Sequence, residues 1–433
     1  MINALKQRLL NEIDLYHDKI INWGEMFLQY PELGFCEEKS SELARQIFDE
    51  FGISYEYPLA LTGVKATLDS GKPGPNVCII GELDGLVCHE HLYASNDGIA
   101  HACGHHAQVA AMLGAMVGLV KSNVISKLCG KISFFAVPAE EFIDLDYRKK
   151  LKSQGKITYF SGKQQLIADG AFDDVDIAIM LHAWPDEPSP KVFVQGENLG
   201  FLAKTITFYG KSAHGSKPYE GVNALNAAAL AILGVHSNRE TFCEEDKIRI
   251  HPIITKGGDV VNSVPDEVCI DTYVRGASFD AIKKGNSAVE RAVTGAAQMV
   301  GAQVKTEDMV GYLPLKESVE LSEIFEENAK ELLGEENVVF GLPITGSSDI
   351  GDLSAVIPVI QPSIGGFSGT LHSKEFQVSD PDTAYVTAAK LLAATAIDLL
   401  ENNAQKFKKI KSAFCPTFTK EEYLNYLQGE LLQ

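Results

Sequence analysis

The chain has 433 residues, 45 % of them hydrophobic and 22 % charged, with a formal net charge of −20. That is too long for one ordinary core and reads as two domains of a globular protein. The negative charge argues against nucleic acid or an anionic membrane surface as partners. No run approaches the roughly 18–20 apolar residues of a membrane span. The start, Met1-Ile-Asn-Ala-Leu-Lys6, reads as the opening of an amphipathic helix and not as a signal peptide. The eight cysteines, at 36, 78, 88, 103, 129, 243, 269 and 415, show no spacing of a disulfide framework. A reducing, cytoplasmic location is therefore the expectation.

Apolar residues at three- and four-residue spacing predict helices over 3–29 and 38–51. Strands follow at 64–68 and 77–80, the second running into Gly81-Glu-Leu-Asp84. A helix over 107–121 comes next, then a strand over 131–137 ending in Pro138-Ala-Glu140-Glu141. Residues 142–174 are polar, with a Lys/Arg/Tyr-rich patch at 147–159 and a short helix near 163–169. A strand over 175–181 delivers His182. This alternation predicts a doubly wound, mostly parallel α/β sheet.

The pattern then changes. Strands at 202–209, 248–255, 268–274 and 304–309 and helices at 222–236 and 279–299 give the order βαββαβ, a ferredoxin-like split unit complete in itself. The remaining helices at 317–334, 383–402 and 420–432, with a strand at 355–360, are too few to fold alone. They are expected to return to the first sheet. The resulting division is a catalytic domain from 1–199 and 310–433, with a lid or dimerisation domain inserted at 200–309.

The chemistry-bearing residues gather at predicted strand ends and loops. Cys103 and His105, in His101-Ala-Cys-Gly-His-His106, place a thiol and an imidazole two positions apart. Both ligate metals when deprotonated. Gly104 lets the backbone turn sharply between them, and a helix N-terminus there favours thiolate. Glu140-Glu141 can divide labour, one as ligand and one as general base, although alone the pair also reads as a solvated acidic corner. Lone His182 and His372 would ordinarily be structural. The combination of all four elements favours a metal site.

The set resembles the lidded, co-catalytic metal-dependent aminoacylase and carboxypeptidase superfamily, in its hippurate hydrolase, N-acyl-amino-acid amidohydrolase and auxin-conjugate hydrolase branch. The resemblance rests on Glu82-Leu-Asp84, His101-Ala-Cys103-Gly-His105, Pro138-Ala-Glu140-Glu141, Leu181-His182-Ala-Trp-Pro, Gly210-Lys-Ser-Ala-His214, Gly257-Gly-Asp-Val-Val-Asn262-Ser-Val-Pro-Asp266 and a late His372. It implies hydrolysis of the amide bond of an N-acyl amino acid or small dipeptide-like substrate. It also implies two divalent metal ions, zinc or manganese. Cys103, His105, Glu141, His182 and His372 would hold the metals, the cysteine bridging, with Glu140 as base. His214 would reach the active site of a partner subunit in a homodimer. Asn262 and Arg275 would lie near the substrate, the arginine suiting a carboxylate. Asp84 fits better behind a ligand histidine than on the metal.

The chain departs from that pattern in three places. His106 and Gln108 stand where the family usually has an aspartate and a histidine, which alters the local charge. Residues 142–162 read as an insertion, whose Tyr147, Arg148, Lys149, Lys150 and Tyr159 would reshape the pocket mouth. The late loop reads Gly346-Ser-Ser-Asp349 in place of a Ser followed by a Glu-Asp pair. The rival readings are a non-catalytic metal-binding homologue, a small dipeptidase, and a hydrolase using Cys103 as nucleophile with His101 or His105.

Overall fold

The computed structural model describes residues 3–185, 191–341 and 346–430. The last two residues of the expected 420–432 helix lie outside these. The chain divides into two compact units, the first made of 1–196, 316–343 and 352–420, the second of 197–315, 344–351 and 421–433.

The first unit is built on a six-stranded sheet. Lys131–Val137, Asn76–Glu82, Ile177–Met180 and Val359–Ile360 run parallel in the spatial order just given. Gly63–Asp69 and Tyr55–Leu59 extend it antiparallel at one edge. The Asn76–Glu82 strand is buried along its whole length, as a strand covered on both faces must be. Beside it lies the His105–Ser122 helix, which is buried nearly all round and packs against Ala4–Leu15, His17–Leu28 and Ala388–Leu400. Close approach needs small residues: a Cβ on Gly118 would sit 2.4 Å from Ile13, and one on Gly114 2.8 Å from Ala389. By length and apolarity alone the Asp382–Leu400 helix could cross a membrane; with 89 % of its most apolar stretch buried, it serves as a core helix.

A second, smaller sheet in this unit joins His182–Pro185, Val192–Val194, Ser363–Ser368, Val338–Phe340 and Gln377–Val378. It corrects the sequence reading around His182. The strand ends at Met180, and His182 opens a new strand paired in parallel with Ser363–Ser368. The expected 355–360 strand is also corrected. Ile350–Ser354 is helical and only Val359–Ile360 pairs, since Pro358 falls inside the apolar run. The polar patch at 147–159 contains a helix, Leu145–Ser153.

The second unit holds the βαββαβ order. Gly200–Tyr209 lies between Glu267–Gly276 and Gln303–Val310, all antiparallel, and Arg249–Ile250 and Ile253–Lys256 pair with Glu267–Gly276 on its other side. Burial alternates strictly along Glu267–Gly276, the signature of a sheet covered on one face. Ala224–Ser237 and Phe279–Val300 are its helices, capped by Asn223 and Ser278, whose side chains accept helix N–H groups. The division differs from the sequence reading at the chain end: the Lys420–Leu427 helix groups largely with this unit, because Tyr426 packs edge-on against Phe279 at 5.4 Å.

Candidate metal centre

The loop after Glu82, the turn before the 105–122 helix, the turn after Val137, the start of the 182–185 strand and the loop at 369–372 converge within the first unit. Gly104 takes φ +83, and a Cβ there would meet the Ala183 Cβ at 2.4 Å. Only glycine lets Cys103 and His105 flank such a turn. His372 has φ +64, and its N–H donates to the Ala102 carbonyl at 2.8 Å. A non-glycine residue in this region is strained and persists only where the surroundings fix it.

Cys103 Sγ is the hub. It lies 3.5 Å from His182 Nε2 and 3.3 Å from His372 Nε2. Two ligand groups share it: Cys103 with His105 and His182, and Cys103 with Glu141 and His372. His105, Glu140 and Glu141 form a third. His372 Nε2 is also 3.4 Å from Glu141 Oε1.

The imidazoles are aimed by their far nitrogens. His105 Nδ1 donates to Asp84, with the carbonyl oxygen at 2.9 Å and Oδ1 at 3.1 Å. His182 Nδ1 donates to the Ala183 carbonyl at 2.8 Å. Both Nε2 atoms then face inward, where each would offer a lone pair to a metal once deprotonated. Asp84 also accepts the Glu141 N–H at 2.9 Å through Oδ2, so one carboxylate orients two of the converging residues.

Donor orphans fit a cation. His105 Nε2 and Glu141 Oε1 are buried without a hydrogen bond, which is costly unless an ion satisfies them. Burial pushes His182 down to about 4 and lowers His372, keeping both imidazoles neutral. Burial pushes Glu141 up to about 7 and, aided by the Glu141 charge, raises the Cys103 thiol. The helix N-terminus does not produce the lowered thiol pKa expected from sequence, because burial outweighs it. Burial also opposes a charge on His105, but Glu82, Cys103 and Asp84 together hold its pKa well above the usual imidazole value.

The Glu140-Glu141 turn is braced from several sides. Ala139 has φ +56, and its N–H donates to Glu37 Oε1 at 2.8 Å. Thr62 Oγ1 donates to the other Glu37 oxygen at 2.6 Å. Arg148, wholly buried, donates to the Glu141 and Phe160 carbonyls. Arg148 therefore does not line a pocket mouth, as its place in the insertion suggested; it braces the turn from beneath.

Sequence reasoning missed the group around Glu82. Its carboxylate is fully buried, accepts Lys163 Nζ at 2.5 Å and Gln108 Nε2 at 2.9 Å, and lies 3.2 Å from His105 Nε2. The Glu82-Leu-Asp84 spacing, which puts both carboxylates on one side of a strand end, was the available signal. Nothing in Ser161-Gly-Lys163-Gln marked the lysine. His106 is buried between His101 and Tyr385, at ring separations of 5.5 and 6.0 Å.

The remaining expected site residues lie in the second unit. His214 and Asn262 are exposed on adjoining loops, tied by Gly215 N–H to the Asn262 carbonyl at 2.7 Å. Arg275 is half-buried, donates to Ser347 Oγ at 2.7 Å and lies over Phe201 and Tyr273.

Comparison with known proteins finds relatives along most of the chain. An Arabidopsis thaliana IAA-amino acid hydrolase (ILR1-like 2) is 26 % identical over 87 % of this chain and 84 % of its own length. A Xaa-Arg dipeptidase of Mus musculus is 27 % identical over 94 % of this chain and 93 % of its own. Among solved structures, a Bacillus subtilis protein described as a dinuclear metal binding peptidase superposes with a TM-score of 0.72 at 23 % identity, covering 89 % of this chain and 99 % of that one. The model of peptidase family M20/M25/M40 matches residues 78–398, and the chain belongs to that family.

Proposed function

We propose that the protein is a metal-dependent amidohydrolase that cleaves the amide bond of an N-acyl amino acid or a dipeptide-like small molecule. The observation that carries this reading is the pair of ligand groups sharing Cys103 Sγ, with two carboxylates from one braced turn beside them. Cys103, His105, Glu141, His182 and His372 would hold two divalent cations, the thiolate common to both; the mixed thiolate, imidazole and carboxylate set suits zinc or manganese. When bound, such ions supply Lewis acidity toward a carbonyl and lower the pKa of a nearby water. The dinuclear description of the Bacillus subtilis relative and the hydrolase names of the relatives support it.

The chain's own residues do the rest. Glu140 accepts the proton of the attacking water and delivers it to the leaving amine. Asp84 holds His105 and the Glu141 backbone in place. His214 donates to the developing oxyanion, Asn262 hydrogen-bonds the substrate, and Arg275 pairs with its carboxylate. Assembly as a homodimer through the second unit supplies His214 in trans. Exposed Leu233, Ile254, Val260 and Val261 on that unit support a covered surface. The substrate is small and soluble, and the protein acts in the cytoplasm.

The test is hydrolysis of a panel of N-acetyl, N-benzoyl and dipeptide substrates, with chelator and then with zinc or manganese restored. Activity lost to the chelator and recovered with metal is expected. Full activity in chelator, abolished by thiol alkylation, would replace this reading with Cys103 as nucleophile.

A further inference from the structure

One face of the second unit's sheet carries a pocket that extends from Arg275 to a second arginine. Along Glu267–Gly276, Val268, Ile270 and Val274 are buried, while Asp271, Tyr273 and Arg275 point the other way and are half-buried. Arg249 stands directly opposite Arg275 in the antiparallel register. A pocket of about 420 Å³ opens there, lined by Arg249, His251, Ile253, Asp271, Tyr273 and Arg275. That volume falls in the range of small-molecule sites.

Like charges directly opposite on neighbouring strands destabilise a sheet. Arg249 is exposed, so water screens part of that repulsion, and among the described residues the protein supplies no counter-charge for the rest. Arg275 donates to a hydroxyl, Ser347 Oγ, and faces two aromatic rings. Arg249 donates only to the carbonyl of its neighbour Ile248, at 3.0 Å. Among the described residues no carboxylate pairs with either guanidinium, although the chain has 58 acidic residues to 38 basic. The acid in the pocket, Asp271, takes the Thr205 hydroxyl at 2.8 Å and sits four residues along the strand from Arg275, roughly 13 Å away. It repels an anion from that end and leaves the arginine end to receive one. Burial lowers the Arg275 pKa, as expected of a cation partly stripped of water with no counter-charge.

We propose that this arginine pair recognises a doubly anionic group, so that the substrates are N-acyl derivatives of the acidic amino acids, aspartate or glutamate. The substrate assignment rests on the amidohydrolase reading above; the anion site does not. A single α-carboxylate would neutralise one guanidinium and leave the other uncompensated. The two carboxylates of a glutamyl group satisfy both, each through charge-assisted hydrogen bonds.

Two measurements test it. With metal supplied, kcat/KM for N-acetyl-glutamate is compared with that for the neutral isostere N-acetyl-glutamine. The acidic substrate should be favoured roughly ten- to hundredfold, the worth of one charged hydrogen-bond pair. Arg249→Gln should collapse that ratio, and Arg249→Lys should retain part of it. Separately, calorimetry on the same protein should show glutarate binding more tightly than butyrate, with the difference lost in Arg249→Gln. Equal turnover of the two substrates together with equal binding of glutarate and butyrate would overturn the inference. Should no N-acyl amino acid be hydrolysed while glutarate still binds through Arg249, the anion site stands and the amidohydrolase reading falls.

Discussion

Glu140→Gln separates the chemistry of the centre from its architecture. The substitution exchanges one oxygen for an amide nitrogen in a side chain that is 6 % exposed, so shape is conserved while the capacity to accept a proton is lost. The turn should survive, because its anchors are backbone groups: Ala139 N–H on Glu37, Glu141 N–H on Asp84, and the Glu141 carbonyl on Arg148. Metal should be retained as well. The ligand groups built on Cys103 include Glu141 and not Glu140, and the Glu140 carboxylate comes no nearer to His105 Nε2 than 3.9 Å. General acid–base help is worth about 10²–10⁴-fold, or roughly 3–5 kcal/mol of barrier, and kcat should fall by that factor. Glu141→Gln, by contrast, should lose metal and activity together. The assay is metal content by mass spectrometry on the same samples used for kcat, with thermal melts as the folding control. Near-normal kcat in fully metallated Glu140→Gln would refute the base assignment. Loss of metal from that variant would make Glu140 a ligand.

Cys103→Ala removes a donor from both ligand groups at once, so metal content measured after dialysis should fall below one ion per chain. Gly104→Ala forces an L-residue to φ +83 and a contact of 2.4 Å with Ala183; at about 1–2 kcal/mol for the backbone alone, it should lower both the melting temperature and metal content. Glu317 is held up to about 7 by burial, against 4.5. The folded chain thus binds its proton more tightly than the unfolded chain does, and wild type should lose about 3 kcal/mol relative to Glu317→Gln as pH rises from about 4.5 to about 7. Urea midpoints that stay parallel across that window would refute this. If His214 acts in trans, mixing His214→Ala with Glu140→Gln under subunit exchange should recover up to about half of the wild-type dimer's sites; no recovery despite proven exchange would place His214 in its own chain's chemistry or in none.

The parts legible in the sequence are those with a strong local signal. The 105–122 helix announces itself because its run from Val109 to Val120 is apolar and unbroken, and the βαββαβ order because its strands alternate over ten residues, as in Glu267–Gly276. Cys103 and His105 were legible because their chemistry lies within one turn. The second sheet of the first unit was not, since its strands run from two to six residues and include Gly365-Gly366. Tyr55–Leu59 escaped for a related reason: it is a partly exposed edge strand interrupted by Pro58, where proline is tolerated. Arg148 was misjudged because a basic residue in a polar stretch ordinarily faces solvent; here a carbonyl cradle buries it. Lys163 was invisible for the same reason, its partner Glu82 lying far off in sequence.

Those two buried cations bear on the charge balance of the centre. Cys103, Glu82, Asp84, Glu140 and Glu141 are all less than 10 % exposed, and each carries a negative charge when ionised. Lys163 offsets Glu82, and Arg148 lowers the Asp84 pKa from nearby. Ionised together, the five would leave about three negative charges uncompensated where water is largely excluded, an arrangement that desolvation makes very costly. Divalent cations held by the ligand groups on Cys103 would offset that deficit: one ion would leave about one negative charge, two about one positive. The same balance accounts for Gln108. A second histidine there could share a positive charge with Glu82; the amide cannot, and it only donates to Glu82 at 2.9 Å. The ammonium of Lys163, seated on the other oxygen at 2.5 Å, takes over that charge. The polar segment that looked like a change to the pocket mouth thus supplies, through Arg148 and the neighbouring Lys163, the fixed positive charge on which the acidic wall of the centre depends.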